Sequence, residues 1–447
     1  MRISTIVMGA LALLGVALCR PAAAEDASPA NPYSGDFFTR SSLTGDWGNA
    51  RNDLAAKGIT FDARVTQIGQ GIVSGGKNGT WEYGGRGDLT GHLDTQKLGL
   101  WPGGFLTVEL EGNWADSVNA KTGALMPVNM NQVNPAPGGY KLALPALNFA
   151  QFLSPYVGVT AGKYATISET SGDMNEFVHG KGATQFFNLA FNANPTLLMT
   201  VPYSTLGAGV IGLPTKDPEQ ALVTLLAFSS VGQASTAGFD DLSTDKLTFT
   251  GEGRVRTDLF ALTGHQLVGA LYSNKEFTSL DQRIEFQPIR RALGLPRSQT
   301  IAKKDGSWAV YYNFDQFLYE IDKTAGRGVG VFGRFGASDG GPNPMHYFYS
   351  LGVGGKGIIP RRELDRFGIG YYYLDIANPT LQVPIVGTKS LLRDEWGFEA
   401  FYNVALTPWL TLTPDIQVVG AAQKRELAGL VQRENVATAV ALAFGHT

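Results

Sequence analysis

Arg86-Gly87-Asp88-Leu89-Thr90-Gly91-His92-Leu93-Asp94 decides the fold class. Side chains alternate across a strand with a period of two. Arg86, Asp88, Thr90, His92 and Asp94 therefore share one face, and Leu89 and Leu93 the other. After the turn Trp101-Pro102-Gly103-Gly104 the pattern recurs, with Thr107, Glu109, Glu111 and Asn113 alternating with Leu106, Val108, Leu110 and Trp114. A soluble sheet turns its apolar face inward and shows its charges to water. A membrane barrel inverts this, with lipid outside and a wet lumen inside.

The remaining strands and their connections favour the barrel. Over residues 247–259, Thr248, Thr250, Glu252, Arg254, Arg256 and Asp258 oppose Leu247, Phe249, Val255 and Leu259. Further alternating or β-rich stretches cover residues 308–320, 328–335, 347–356, 367–374, 396–406, 409–419 and 436–444. Tight turns such as Thr407-Pro408 contrast with long irregular stretches at 115–145, 165–206, 282–305 and 377–394. Short turns on one rim and long loops on the other are the pattern of an outer-membrane barrel, and about 390 residues would supply on the order of 16 antiparallel strands. Trp101, Trp114, Trp308, Tyr347, Tyr349, Tyr371, Tyr373, Trp396, Tyr402 and Trp409 fall near strand ends, where amphipathic rings form interfacial girdles. One short helix is expected at 46–57, with Asp46 as N-cap, Gly58 at its C-terminal end, and Trp47, Ala50 and Leu54 on one face.

Residues 1–24 read as a secretory leader: Arg2, an apolar stretch, then Ala22-Ala23-Ala24 as a small-residue cleavage site. Leu18 before Cys19 is bulky where lipoprotein signals prefer a small residue. Cleavage after Ala24 removes Cys19, the only cysteine, so disulfides cannot staple the product. The organisation is thus a leader (1–24), an N-terminal segment with the short helix (25–58) and an all-β transmembrane barrel (59–447). Beyond the leader no run of about eighteen apolar residues would make a membrane helix. Lys and Arg number 36 against 39 Asp and Glu, and loss of Arg2 and Arg20 deepens the acidic excess. Nucleic acid is excluded as a partner, since no basic stripe exists to neutralise phosphates.

Four segments in order resemble the carbohydrate-selective porins of the OprB family. They are Leu43-Thr44-Gly45-Asp46-Trp47-Gly48-Asn49-Ala50-Arg51 with Leu54, Lys57-Gly58-Ile59 and Phe61; Leu98-Gly99-Leu100-Trp101-Pro102-Gly103-Gly104; Tyr311-Tyr312-Asn313-Phe314-Asp315-Gln316; and Gly352-Val353-Gly354-Gly355-Lys356-Gly357 through Arg361, Asp365 and Phe367-Gly368-Ile369-Gly370-Tyr371. The family often has Gly-Gly where this chain has Gly48-Asn49, and residues 173–194 match it loosely. The resemblance implies a barrel of about sixteen strands in the outer membrane of a Gram-negative bacterium. Through it glucose-like sugars would diffuse to the periplasm past inward-folded loops, with no cofactor. Lipid and small sugars would be its partners; whether it is a monomer or a trimer stays open.

A sugar path needs paired donors and acceptors together with flat aromatic faces. The expected lumen set is Arg64, Arg86, Asp88, Glu109, Glu111, Glu252, Arg254, Arg256, Asp315, Arg334 and Glu399. The expected stacking rings are Trp81, Tyr83, Phe177, Phe186 and Phe187, while His92 and His179 are isolated. Loop divergence leaves organic acids or small ions as another solute class. A secreted lectin or glycosidase is the reading from a different class, with a rim lipase behind it. Glu109 and Glu111 lie about 7 Å apart by strand geometry, inside the inverting-glycosidase range of about 6.5–9.5 Å, yet any such pair on a strand does. Residues 207–212, 328–333 and 352–357 match a dinucleotide fingerprint by letter, and Pro214 spoils the helix the first would need. No catalytic or metal-ligand set emerges.

Overall fold

The computed structural model describes residues 31, 33–135, 141–166, 177, 182–283, 301–377, 380–383, 387–390, 392–427 and 432–447. The leader, Cys19 and His179 lie outside the described residues.

Strands in chain order are β1 (Ile59–Gly76), β2 (Thr80–Asp94), β3 (Gly104–Ala115), β4 (Lys141–Phe152), β5 (Val157–Ala165), β6 (Ser204–Gly212), β7 (Ala221–Ser229), β8 (Leu247–Thr257), β9 (Gly264–Thr278), β10 (Gln282–Arg283), β11 (Lys303–Asp322), β12 (Arg327–Ser338), β13 (Met345–Lys356), β14 (Arg366–Ile376), β15 (Thr380–Val383), β16 (Gly387–Ser390), β17 (Glu395–Thr407), β18 (Leu410–Gly420), β19 (Lys424–Leu427), β20 (Gln432–Asn435) and β21 (Ala437–His446). Sixteen of them close into one barrel; β10, β15 and β16 form a small sheet, and β19 and β20 a ribbon. Every barrel pair is antiparallel, and β21 returns to β1 with Phe444 opposite Gly69.

The expected inversion is present. On β1, Thr66, Ile68, Gln70 and Ile72 are buried while Val65 and Val73 are exposed. Pairing carries that parity around the wall: Arg64 faces Asp88, Asp88 faces Glu111, and Leu89 faces Leu110. Leu225, Leu351, Ile369, Trp308, Tyr349 and Tyr371 are exposed on the outer face, where lipid covers them. Both barrel termini sit at the rim of short turns, such as 153–156, 323–326 and 408–409. The opposite rim carries the four long connections read from sequence and also 230–246 and 421–436. The three dinucleotide look-alikes lie on strands β6, β12 and β13, with no helix following.

The N-terminal helix is shorter than expected. It spans Ala50–Ala56 with Asn49 as N-cap in the left-handed region, φ 78°. Asp46 instead builds the preceding turn: its carboxylate accepts from the Ser34 hydroxyl at 2.7 Å and the Gly48 amide at 3.1 Å. Those bonds, the Ser34 one foremost, hold its pKa below the usual carboxylate value. Trp47 stacks on Phe61 of β1, ring centroids 5.3 Å apart. Arg51 lies over the Tyr33 ring and donates to the Phe61 carbonyl at 2.8 Å. Trp409 donates to the Phe37 carbonyl at 2.8 Å, so this segment is tied to the short-turn rim.

Candidate functional site

Two long connections turn inward and meet inside the barrel. Residues 116–135 follow β3, and residues 182–203 precede β6. They bond to each other: the Met130 amide donates to the Phe187 carbonyl at 2.7 Å, and the Leu189 amide to the Pro127 carbonyl at 2.9 Å. The second connection holds its shape locally. Asn188 caps the one-turn helix Leu189–Asn192 by accepting from the Ala190 amide, and Asn194 does the same for Pro195–Leu197.

Its aromatic rings are seated on the wall of β12, β13, β14 and β21. A Cβ on Gly368 would meet the Phe186 ring at 2.6 Å, one on Gly370 the Phe191 ring at 2.5 Å and one on Gly445 the Phe187 ring at 2.7 Å, while one on Gly330 would overlap the Phe177 ring. These inward glycines are bare because rings occupy the space a side chain would take. Phe186 also packs edge-on against Phe332 and Phe401. Phe177, Phe186 and Phe187 are thus buried packing residues, and the expectation that they stack on a solute is corrected. Burying each such ring contributes about 1.5–3 kcal/mol, which offsets the cost of ordering a long loop.

The loops fill the side of the lumen next to β12–β21 and leave a cavity of about 350 Å³ against β1–β3. Arg64, Arg86, Asp88, Thr90, Glu109 and Glu111 line it from the wall; Asn131, Asn134, Gln185 and Tyr203 line it from the loops. Strand alternation projects the wall residues inward from neighbouring strands. Arg86 bonds Glu111 and, at 2.6 Å, Asp88, and it donates to the Asn134 carbonyl at 3.1 Å. The Tyr203 hydroxyl reaches the Glu111 oxygens at 2.7 and 2.6 Å. Arg64 pairs with Asp62 at 3.1 Å.

The structure brings only part of the expected set to this cavity. Glu252 accepts from Tyr311 at 2.7 Å, and Arg254 donates to the Pro218 carbonyl at 2.5 Å. Arg256 lies 3.6 Å from Asp258, and Asp315 lies 3.0 Å from His265. These last three clusters sit closer to the short-turn rim. Arg334 and Glu399 are corrected from lumen-lining groups to groups committed to the loop. Arg334 donates to the Phe191 carbonyl, and Glu399 accepts from the Phe187 and Asn188 amides. Trp81 and Tyr83 are corrected outright. Both lie on strand β2 rather than a loop, and their parity turns them outward. The Trp81 ring covers Gly71, and the Tyr83 hydroxyl donates to Gln67 at 2.8 Å. His92 contacts Thr107 at 3.2 Å.

Sequence reading misses Tyr203 and Gln185, on irregular backbone, and Asn131, in the single 3-10 turn Met130–Gln132, where no period marks a face. Glu395 is within its reach, because it shares the inward face of β17 with Glu399.

Residues 79–440 match the family model described as carbohydrate-selective porin, OprB family. Porin B of Pseudomonas aeruginosa is 24% identical over 418 residues, 84% of this chain and 86% of that protein. The high-pH structure of Pseudomonas putida OprB superposes with a TM-score of 0.72 at 19% identity, covering 92% of this chain and 99% of that one. Its low-pH structure gives 0.52 at 17% identity, with 92% and 98% covered.

Proposed function

The chain belongs to the OprB family of carbohydrate-selective porins, and from that premise we propose that its solute path runs through the eccentric cavity beside β1–β3. The protein is a sugar-selective channel of the Gram-negative outer membrane. Glucose-like mono- and small oligosaccharides are the solutes we assign to it, moving down their gradient. Residues 1–24 act as the leader, 25–58 as the rim segment and 59–447 as the barrel.

The observation that carries this reading is the lining itself. Guanidinium donors (Arg64, Arg86), carboxylate acceptors (Asp88, Glu109, Glu111) and amides (Asn131, Gln185) converge on one cavity wide enough for a hydroxyl-rich ring. Groups of both signs in one lining, with Arg64 opposite Asp88 and Arg86 bonded to Asp88 and Glu111, suit a neutral polyol better than a strongly charged acid. We read no catalytic role into Glu109 and Glu111, because Arg86 and Tyr203 already engage Glu111. Purified protein in a planar bilayer, titrated with glucose, maltose and a dicarboxylate, tests this. Saturable block by glucose is the expected result; block by the dicarboxylate alone would move the substrate class to organic acids.

A further inference from the structure

Two glutamates on one strand each hold one of the inward loops by the same device. Glu395 and Glu399 both project inward from β17, four residues apart, hence roughly 13 Å along the strand. Both side chains are fully buried. Glu395 accepts from two successive amides of the first loop, Leu125 at 2.6 Å and Met126 at 3.0 Å. It also accepts from the Tyr372 hydroxyl at 3.0 Å and the Ala422 amide at 3.2 Å. Glu399 accepts from two successive amides of the second loop, Phe187 at 2.5 Å and Asn188 at 2.9 Å. On neighbouring β18, Gln417 donates to the Val128 carbonyl of the first loop at 2.8 Å and accepts from the Asn188 amide group of the second at 3.2 Å. Asp415, also on β18, accepts from Gln417 at 2.9 Å.

We propose that Glu395 and Glu399 are positioning residues for the constriction: each carboxylate clamps a pair of backbone amides, and together they set how far the two loops stand from the β1–β3 wall. Neither lines the cavity. Their effect on a passing solute is exerted through the loops that carry Asn131, Gln185 and Tyr203. A carboxylate suits this task because it offers acceptors only, on two oxygens, to two parallel N–H donors. A glutamine at either position would keep one acceptor and turn an NH2 group toward the second amide. That amide would be left buried without a partner, a state that costs more than the bond was worth. The proposal rests on reading the cavity as the solute path, but its conductance readout does not depend on which solute is selected.

The test is single-channel recording of Glu399→Gln and Glu395→Gln, restricted to protein that migrates as a heat-modifiable, folded barrel. The expected result is excess open-channel noise with sublevels and an altered mean conductance. Where the wild-type channel is blocked by glucose, the half-block concentration should rise roughly tenfold. A clamp that served only barrel stability would lower folded yield and leave the surviving channels quiet at wild-type conductance, and that result would overturn the proposal. Gln417→Leu covers the case in which a glutamate variant does not fold. It removes tethers to both loops and leaves both glutamates in place, at the cost of the Gln417 bond to Asp415, and it should reproduce the noise; quiet wild-type currents there count against the clamp. Wild-type channels that conduct but ignore sugars would sink the solute assignment and leave the noise comparison as it stands.

Discussion

Arg86 shows how a side chain read as lumen lining becomes a joint. It bridges Asp88 and Glu111 on the wall to the Asn134 carbonyl on a loop. Arg86→Ala leaves Glu111 buried beside Tyr203 alone, and breaking a buried pair in this way costs about 3–5 kcal/mol locally. Glucose half-block in bilayer recordings should weaken tenfold or more while the barrel still folds. Tyr203→Phe removes one hydrogen bond to a charged group, about 1.5–3 kcal/mol, so its shift should be the smaller of the two. At this scale the sequence is legible wherever period two applies: alternation alone puts Arg64, Arg86, Asp88, Glu109 and Glu111 on the inward face. It fails for Trp81 and Tyr83, which read as loop residues although they begin β2. Extending the strand back to Thr80 carries the same alternation to both rings and turns them outward.

At the scale of elements, the inward loop and its wall are matched shapes. Gly370→Val places branched atoms into the Phe191 ring, which lies only 2.5 Å from where a Cβ on that residue would stand. Overpacking of this kind costs about 1–3 kcal/mol, and the cheapest relief is to push the loop toward the passage. Single-channel conductance should fall; an unchanged value would show that the loop does not rest on β14. In the sequence the 56 glycines, nearly twice the usual share of about 7%, show only as composition and chance motif matches. Its meaning requires knowing which ring lands on which strand, and those partners are far apart in the chain. The helix is legible as an element but misplaced at its start, because Asp46 offers the chemistry of a cap while its carboxylate is used in the turn before Asn49.

At the scale of the molecule, alternation, turn asymmetry and aromatic placement are enough to read a membrane barrel, since all three follow from lipid outside and water inside, and the count of about sixteen strands comes from chain length. The eccentricity of the passage is not legible, because it depends on which half of the lumen the loops occupy. That eccentricity has an electrical consequence. Two arginines face three carboxylates around the cavity, so reversal potentials in a salt gradient should show a modest cation preference that weakens as ionic strength rises. A strong anion preference would favour organic acids as solutes.

The glutamates of β17 also bear on the assembly of the barrel. Leu125 and Glu395 are 270 residues apart in the chain, and Phe187 and Glu399 are 212 apart. The narrow part of the channel is thus fastened by strands that lie near the C-terminal end of the barrel order. A chain halted before its final hairpins would lack its seam and its constriction together. Sieving is therefore acquired in the same act as closure, and a half-built wall cannot pass for a finished filter.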